Sequence, residues 1–290
     1  MKSGVGLVGL GLVGTALISR LRAAGFDPQG WDHDGAALTR CRQGGGRTVD
    51  SAAALGRECA VVILAVFDTA GVIDVLEGED GILAGGTPQA VIDCSTGDAD
   101  TLQALATRLA ARGIDFIEAP LSGSSAQIAA GEALMLLGGE ARAIAAQDTL
   151  LCAIAARRTH VGGAGMGARA KLATNLVLGL NRAALAEGMA FAESLGIAPA
   201  DFLELILNSP ARSEAAVQKG VQMVREDFAP RSRVRQHLKD VELMLAAARA
   251  NGRRLPLTDA HAALLRTAVD QGDGDLDNAA ILRTLRRARA

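Results

Sequence analysis

The hexapeptide Gly9-Leu10-Gly11-Leu12-Val13-Gly14 follows the apolar run Val5–Val8 without a gap and opens a helix-like stretch, Leu12–Ala24. A G-x-G-x-x-G placed between strand and helix allows little else than a dinucleotide-binding βαβ unit. Each glycine answers a separate steric demand: Gly9 the tight turn, Gly11 the close approach of backbone to a pyrophosphate, Gly14 the packing of helix on strand. The N-terminus of the following helix then offers N–H donors and a favourable dipole to the anion. About twenty positions on, Asp32 ends the expected second strand, where a carboxylate accepts hydrogen bonds from adenosine ribose hydroxyls and repels a 2′-phosphate. His33, mostly neutral at pH 7, is a poorer phosphate clamp than arginine. NAD is therefore expected in preference to NADP, although Asp32 also suits the start of a turn with Asp34 and Gly35.

Alternation continues to about Val161, with strands expected at Val5–Val8, Gln29–Trp31, Arg47–Val49, Val61–Val66, Ala90–Asp93, Asp115–Ile117, Ala133–Leu137 and Thr159–Val161. Helices are expected between them at Leu12–Ala24, Ala36–Arg42, Ala70–Leu76, Ala99–Arg112 and Ala141–Ala155. The pattern predicts a mainly parallel α/β sheet of Rossmann type, covered on both faces. Beyond Gly165 the strand signal disappears, and helices are expected at Ala168–Leu195, Pro199–Asn208, Ser213–Glu226, Val234–Asn251, Leu257–Gln271 and Asn278–Arg287. The glycines of Gly162-Gly163-Ala164-Gly165-Met166-Gly167 mark a hinge, which divides the chain into a dinucleotide-binding domain, 1–163, and an all-helical domain, 164–290. The Arg/Ala tail after Arg283 reads as a frayed helix end.

A chain of 290 residues, 49 % hydrophobic, can fill two cores. A net charge of −2 with scattered basic residues disfavours nucleic acid as a partner. Cys41, Cys59, Cys94 and Cys152 form no C-x-x-C pair, which points to free thiols, a reducing cytoplasmic setting and no zinc site. Lys2 with the apolar run Gly4–Ile18 superficially resembles a signal peptide, but its five glycines suit a strand and turn better. No membrane-spanning run is evident.

The chemistry is expected at Lys171 and Asn175, four residues apart in the apolar stretch Ala164–Leu195. Helical spacing puts both on one face, and burial lowers a lysine's pKa toward proton transfer. A lysine whose stem packs while its head reaches solvent is the plainer alternative. His160, His237 and His261 are isolated and suit surface or core better than metal ligation. Ser122 lacks the G-x-S-x-G context of a hydrolase nucleophile.

Asp93-Cys94-Ser95-Thr96, Glu118-Ala119-Pro120-Leu121-Ser122-Gly123, Gly165-x-Gly167-x-x-x-Lys171-x-x-x-Asn175 and Lys239-Asp240 join the N-terminal fingerprint in fixed order. With these motifs nearly the whole chain resembles the β-hydroxyacid dehydrogenase family, which includes 3-hydroxyisobutyrate dehydrogenase and tartronate semialdehyde reductase. The resemblance implies an NAD(P)-dependent oxidoreductase that interconverts a β-hydroxyacid and its semialdehyde, with Lys171 as acid/base and Asn175 orienting the hydroxyl. It implies that Ser122 and Gly123 hold the substrate carboxylate, that Val66, Phe67 and Thr96 line the cofactor with Gly9 to Gly14 and Asp32, and that Lys239 approaches the nicotinamide end. A homodimer or homotetramer is expected, helped by the helix Ala168–Leu195.

The chain departs from the family pattern at several points. Leu121 and Ser124 replace Val and Gly of Pro-Val-Ser-Gly-Gly, and Thr174-Asn175 replaces Asn-Asn. Arg231, Ser232 and Arg233 stand where the family commonly ends Phe-x-Pro-x-Phe. One of Arg231, Arg233 or Arg235 could then meet an extra anionic group on the substrate, the alternative being a solvated charged surface. Leu178 occupies the position of the glutamate that assists decarboxylation in 6-phosphogluconate dehydrogenases, so decarboxylation is not expected. Imine reductases share the architecture but generally replace the lysine. An imine or other carbonyl reductase, and a dinucleotide-binding scaffold without catalysis, are the rival readings.

Overall fold

The computed structural model describes residues 4–288, and the chain divides into two compact units after Lys171. The first unit opens with β1 (Val5–Val8), α1 (Leu12–Ala23), β2 (Gln29–Trp31), α2 (Gly35–Gln43), β3 (Arg47–Thr48), α3 (Ala52–Glu58) and β4 (Val61–Leu64). It continues with α4 (Thr69–Glu77), α5 (Ile82–Gly85), β5 (Ala90–Asp93), α6 (Ala99–Ala110) and β6 (Asp115–Glu118). Next come β7 (Leu121–Ser122), α7 (Ser125–Ala130), β8 (Leu134–Gly138), α8 (Ala141–Ala146), α9 (Asp148–Ile154) and β9 (Arg157–Gly162).

Among the described residues the strands form one nine-stranded sheet whose first six run parallel in the order β3-β2-β1-β4-β5-β6. This is the doubly wound order, in which the succession of strands reverses between β1 and β4 and leaves a crevice at the strands' C-terminal ends. Antiparallel β8 pairs with β6 and β7 on one side and with parallel β9 on the other. Alternation of side chains splits the core into two layers. Leu7, Ile63, Ile92 and Ile117 face one layer, and Val8, Val62, Leu64, Val91 and Phe116 the other.

The second unit is helical. Helix α10 (Met166–Ser194) begins in the first unit and runs on into it, followed by α11 (Pro199–Leu207), α12 (Glu214–Arg225), α13 (Val234–Ala250), α14 (Pro256–Ala268) and α15 (Ile281–Arg287). Leu185, Met189, Leu203, Met223, Val241, Leu265 and Ile281 share its own core.

Several boundaries differ from expectation for local reasons. The expected helix Ala141–Ala155 breaks into α8 and α9 at Gln147, whose φ of −105° and ψ of 11° are not helical. Strand β4 stops at Leu64, two residues early, because the Val66 N–H turns away to the Ser95 hydroxyl. The expected helix Leu257–Gln271 widens into a π turn at Val269–Asp273, where Gly272 takes a φ of +84°. Strand β7 and helices α3, α5 and α7 were too short for periodicity to reveal. The tail is not frayed as far as Arg287: Arg286 pairs with Glu193 and Glu226, and Arg287 with Asp273. Lys2 and the last two residues lie outside the described range.

Candidate active site

The glycine-rich turn carries the steric signature of its motif. Gly9 adopts a φ of +89°, and a Cβ there would lie 2.3 Å from the Ala65 carbonyl oxygen. At Gly14 a Cβ would meet the Gly9 carbonyl oxygen, so helix α1 can approach its own turn only without a side chain. Gly11 has open space where its Cβ would be and starts α1 without a capping side chain. Leu10 is buried, while Leu12 and Val13 are half-buried in the first turn. An anion can therefore approach this backbone closely.

Asp32 stands just past β2. Its Oδ2 accepts from Leu10 N–H at 2.6 Å and its Oδ1 from Asp34 N–H at 2.8 Å. The carboxylate thus bridges the glycine turn and the entry to α2, which Asp34 caps through Ala36 N–H. Each oxygen keeps a second lone pair for a hydroxyl donor. His33 Nδ1 lies 3.3 Å away on a fully solvated ring.

Val66, Phe67 and Thr96 sit past the ends of β4 and β5, at the same edge of the sheet as the glycine turn. Phe67 is 48 % exposed, a large apolar side chain presented to solvent beside that edge. Asp93, buried at the end of β5, accepts from Ser95 N–H and fixes the turn that carries Thr96.

Ser122 ends the two-residue strand β7, which pairs with β8, and Gly123 follows it. The departures in this loop have a structural account. Leu121 is buried in the sheet core, and Ser124 caps α7 in a reciprocal capping box with Gln127. Lys171 is 8 % exposed, and its Nζ donates to the Leu121 carbonyl oxygen at 2.7 Å, one residue before Ser122. The plainer expectation of a lysine reaching bulk solvent does not fit that burial. Glu118, 1 % exposed, accepts from the N–H groups of Gly165 and Ala168 at the start of α10. Burial pushes its carboxyl above the usual range, against the pull of those donors.

In the helical unit, Asn175 Nδ2 donates to Asp240 Oδ2 at 3.0 Å, and Lys239 Nζ lies 3.0 Å from Asp240 Oδ1. Asp240 is buried and gathers both groups. Sequence reasoning had given it no role, although its place beside Lys239 on α13 was a usable signal. Lys171 and Asn175 lie one turn apart on the continuous helix α10.

Arg231, Arg233 and Arg235 are engaged by carboxylates: Arg231 with Asp227 at 2.9 Å, Arg235 with Asp275 at 2.7 Å, and Arg233 with Asp275 at 3.8 Å. All three reach surface carboxylates, Arg233 and Arg235 sharing Asp275, which favours the solvated-surface reading. His160 bonds the carbonyls of Gly139 and Gly162, while His237 and His261 are buried with ring centroids 5.1 Å apart. Among the described residues no group of three or more His, Cys, Asp or Glu side chains could hold a metal.

Two family models cover almost the whole chain. Residues 4–163 match the NAD-binding domain of 6-phosphogluconate dehydrogenase, and residues 165–285 match the NAD-binding region of NADP-dependent 3-hydroxyisobutyrate dehydrogenase. The chain belongs to the β-hydroxyacid dehydrogenase family. It is 32 % identical to an L-threonate dehydrogenase of Cupriavidus necator, over 98 % of this chain and 96 % of that one. It is 26 % identical to a 2-hydroxy-3-oxopropionate reductase of Escherichia coli, over 83 % of each. A crystal structure described as 3-hydroxyisobutyrate dehydrogenase from Salmonella typhimurium superposes with a TM-score of 0.88 at 27 % identity, covering 97 % of this chain and 99 % of that one. As a member of the β-hydroxyacid dehydrogenase family, the protein is an NAD(P)-dependent oxidoreductase acting on CH–OH groups. No helix among the described residues is long and apolar enough to cross a membrane.

Proposed function

We propose that the protein interconverts a small β-hydroxyacid and its semialdehyde, using NAD in preference to NADP and Lys171 as the acid/base. The observation that carries this reading is the placement of a buried lysine ammonium on the Leu121 carbonyl, next to Ser122. A lysine held beside the substrate-carboxylate loop, with its Nζ on the Leu121 carbonyl, is placed to exchange a proton with a hydroxyl bound there.

When bound, the nicotinamide supplies and receives the hydride. The residues that would hold the dinucleotide are Gly9 to Gly14 at the pyrophosphate and Asp32 at the ribose, with Val66, Phe67 and Thr96 along its length and Lys239 toward the nicotinamide. The carboxylate at Asp32 is the support for NAD, since a 2′-phosphate there would face a negative charge. Ser122 Oγ and the Gly123 N–H would grip the substrate carboxylate. Asn175, fixed by Asp240, would orient the hydroxyl whose proton Lys171 removes in oxidation and restores in reduction. In this reading 1–163 binds the dinucleotide, 164–290 carries substrate and dimer or tetramer contacts, and the protein works in the cytoplasm. Val177, Phe191 and Leu195, each more than half exposed along or just beyond α10, support an oligomer.

The substrate class is tested with L-threonate, 3-hydroxyisobutyrate, 2-hydroxy-3-oxopropionate and dicarboxylic and phosphorylated hydroxyacids, followed by nicotinamide absorbance with NAD and NADP. Lys171→Met is expected to lower kcat by about a thousandfold or more, within the range that general acid–base catalysis and positioning supply together. Full turnover in that variant would end the proposal. Turnover of a ketone plus amine but of no hydroxyacid would favour the imine reductase reading.

A further inference from the structure

We infer that Glu118 is the positioning residue for Lys171, acting through the first turn of α10; the inference rests on the reading of Lys171 as the acid/base. Two contacts join the end of β6 and the segment just after it to this helix, and they have the same sequence offset. Glu118 Oε1 accepts from Ala168 N–H at 2.9 Å, and the Leu121 carbonyl accepts from Lys171 Nζ at 2.7 Å, each pair 50 residues apart. Glu118 and Leu121 are three residues apart on one side, Ala168 and Lys171 one helical turn apart on the other. The contacts are two rungs of one ladder, so a shift at the carboxylate rung displaces the ammonium rung with it.

The surroundings fix the first rung closely. Glu118 Oε2 accepts from Gly165 N–H, and the backbone N–H of Gly167 adds to the donors facing the carboxylate. A Cβ on Gly167 would come within 2.7 Å of Glu118 Cβ, and one on Gly138, the β8 partner of Glu118, within 2.5 Å of Gly167 N. The absence of side chains at 138 and 167 is what lets strand end and helix start touch through the carboxylate. A negative group at the N-terminus of a 29-residue helix meets both orphan N–H donors and the positive end of the dipole. Burial and, more weakly, the nearby Asp93 raise the Glu118 carboxyl, while the N–H donors at the helix start pull the other way.

Glu118→Gln retains the volume but turns an amide NH2 toward one of the backbone donors, and so breaks one half of the clamp. Catalysis that depends on sub-ångström placement should then suffer while binding does not. The test compares wild type, Glu118→Gln, Lys171→Ala and the double variant, with 3-hydroxyisobutyrate and L-threonate as substrates. Glu118→Gln is expected to lower kcat about tenfold or more, with KM and NADH affinity within about threefold and an unchanged circular dichroism spectrum. In the Lys171→Ala background the same substitution should cost nothing further. An equal loss in both backgrounds, or wild-type kcat in Glu118→Gln, would overturn the inference. Gly138→Ala, which presses on the clamp without altering its charge, should reproduce the effect. A crystal structure of Glu118→Gln supplies an independent measurement: Lys171 Nζ still seated on the Leu121 carbonyl would also overturn it. Full activity in Lys171→Ala alone would instead remove the acid/base reading, and that outcome is visible before the cycle is completed.

Discussion

At the scale of single residues, burial decides which ionisable groups are available for chemistry and which carry a cost. His261 is 3 % exposed, and burial, reinforced by the nearby Arg182 cation, lowers its pKa from 6.5 to about 4. Between those two values the unfolded chain binds a proton at this site that the folded chain refuses. Stability is therefore complete above pH 6.5 and falls as pH drops toward 4. The difference of about 2.5 pKa units corresponds to about 3 kcal/mol. His261→Leu should flatten this part of the acid unfolding curve, measured by urea denaturation at pH 7, 5.5 and 4.5; an unchanged slope would assign the acid sensitivity elsewhere. Arg182 is buried on the same side, its pKa lowered to about 10 by desolvation and sustained by Asp277 and Asp240. The sequence disclosed the identities of these residues and not their burial. A histidine on a helix reads the same whether it meets water or another ring.

At the scale of elements, short connections hold the functional side chains more tightly than the long helices suggest. Asp277 is fully buried just before the last helix and accepts from Lys219 Nζ at 2.7 Å and from the backbone N–H groups of Arg231, Ser232 and Ala279. It secures the loop that leads into α13, the helix carrying Lys239 and Asp240. Burial lowers the Lys219 pKa while Asp277 sustains it. Asp277→Ala would strand a buried ammonium and three donors, and should destabilise the helical unit by about 3–5 kcal/mol in chemical denaturation. Replacing Lys219 and Asp277 together by Met and Leu should recover much of that loss, because the desolvation cost disappears with the charges. A double variant as unstable as the single one would show that the loop bonds, not the ion pair, dominate. None of this was legible from spacing, since Lys219 and Asp277 are 58 residues apart.

At the scale of the whole molecule, the chain builds one core on each face of a sheet and another within a helical unit. Apolar side chains remain on the surface of the helical unit: Val177, Phe191, Leu195, Leu205, Val217, Val221 and Leu257. Phe191 and Leu195, four residues apart at the end of α10, are each more than 60 % exposed. Sedimentation velocity should find a particle of at least twice the chain mass of 29.7 kDa, and Phe191→Glu with Leu195→Glu should shift it toward the monomer. A wild-type monomer at micromolar concentration would exclude the oligomer.

The sequence alone settled the mainly parallel sheet of Rossmann type, the turn at Gly9 to Gly14 and the helical second half, because hydrophobic period and glycine sterics are local properties of the chain. Lys171, Asn175 and Asp32 stood out by their offsets along one helix or from a strand end, whereas Ser122 stood out only through the family resemblance. Only the tertiary structure could set the Lys171 ammonium on the Leu121 carbonyl, close Glu118 over the start of α10, gather Asn175 and Lys239 on Asp240, and pair the surface arginines with carboxylates. Those contacts join residues distant in sequence, and their strength depends on how far water is excluded, a quantity that exists only once the chain has packed.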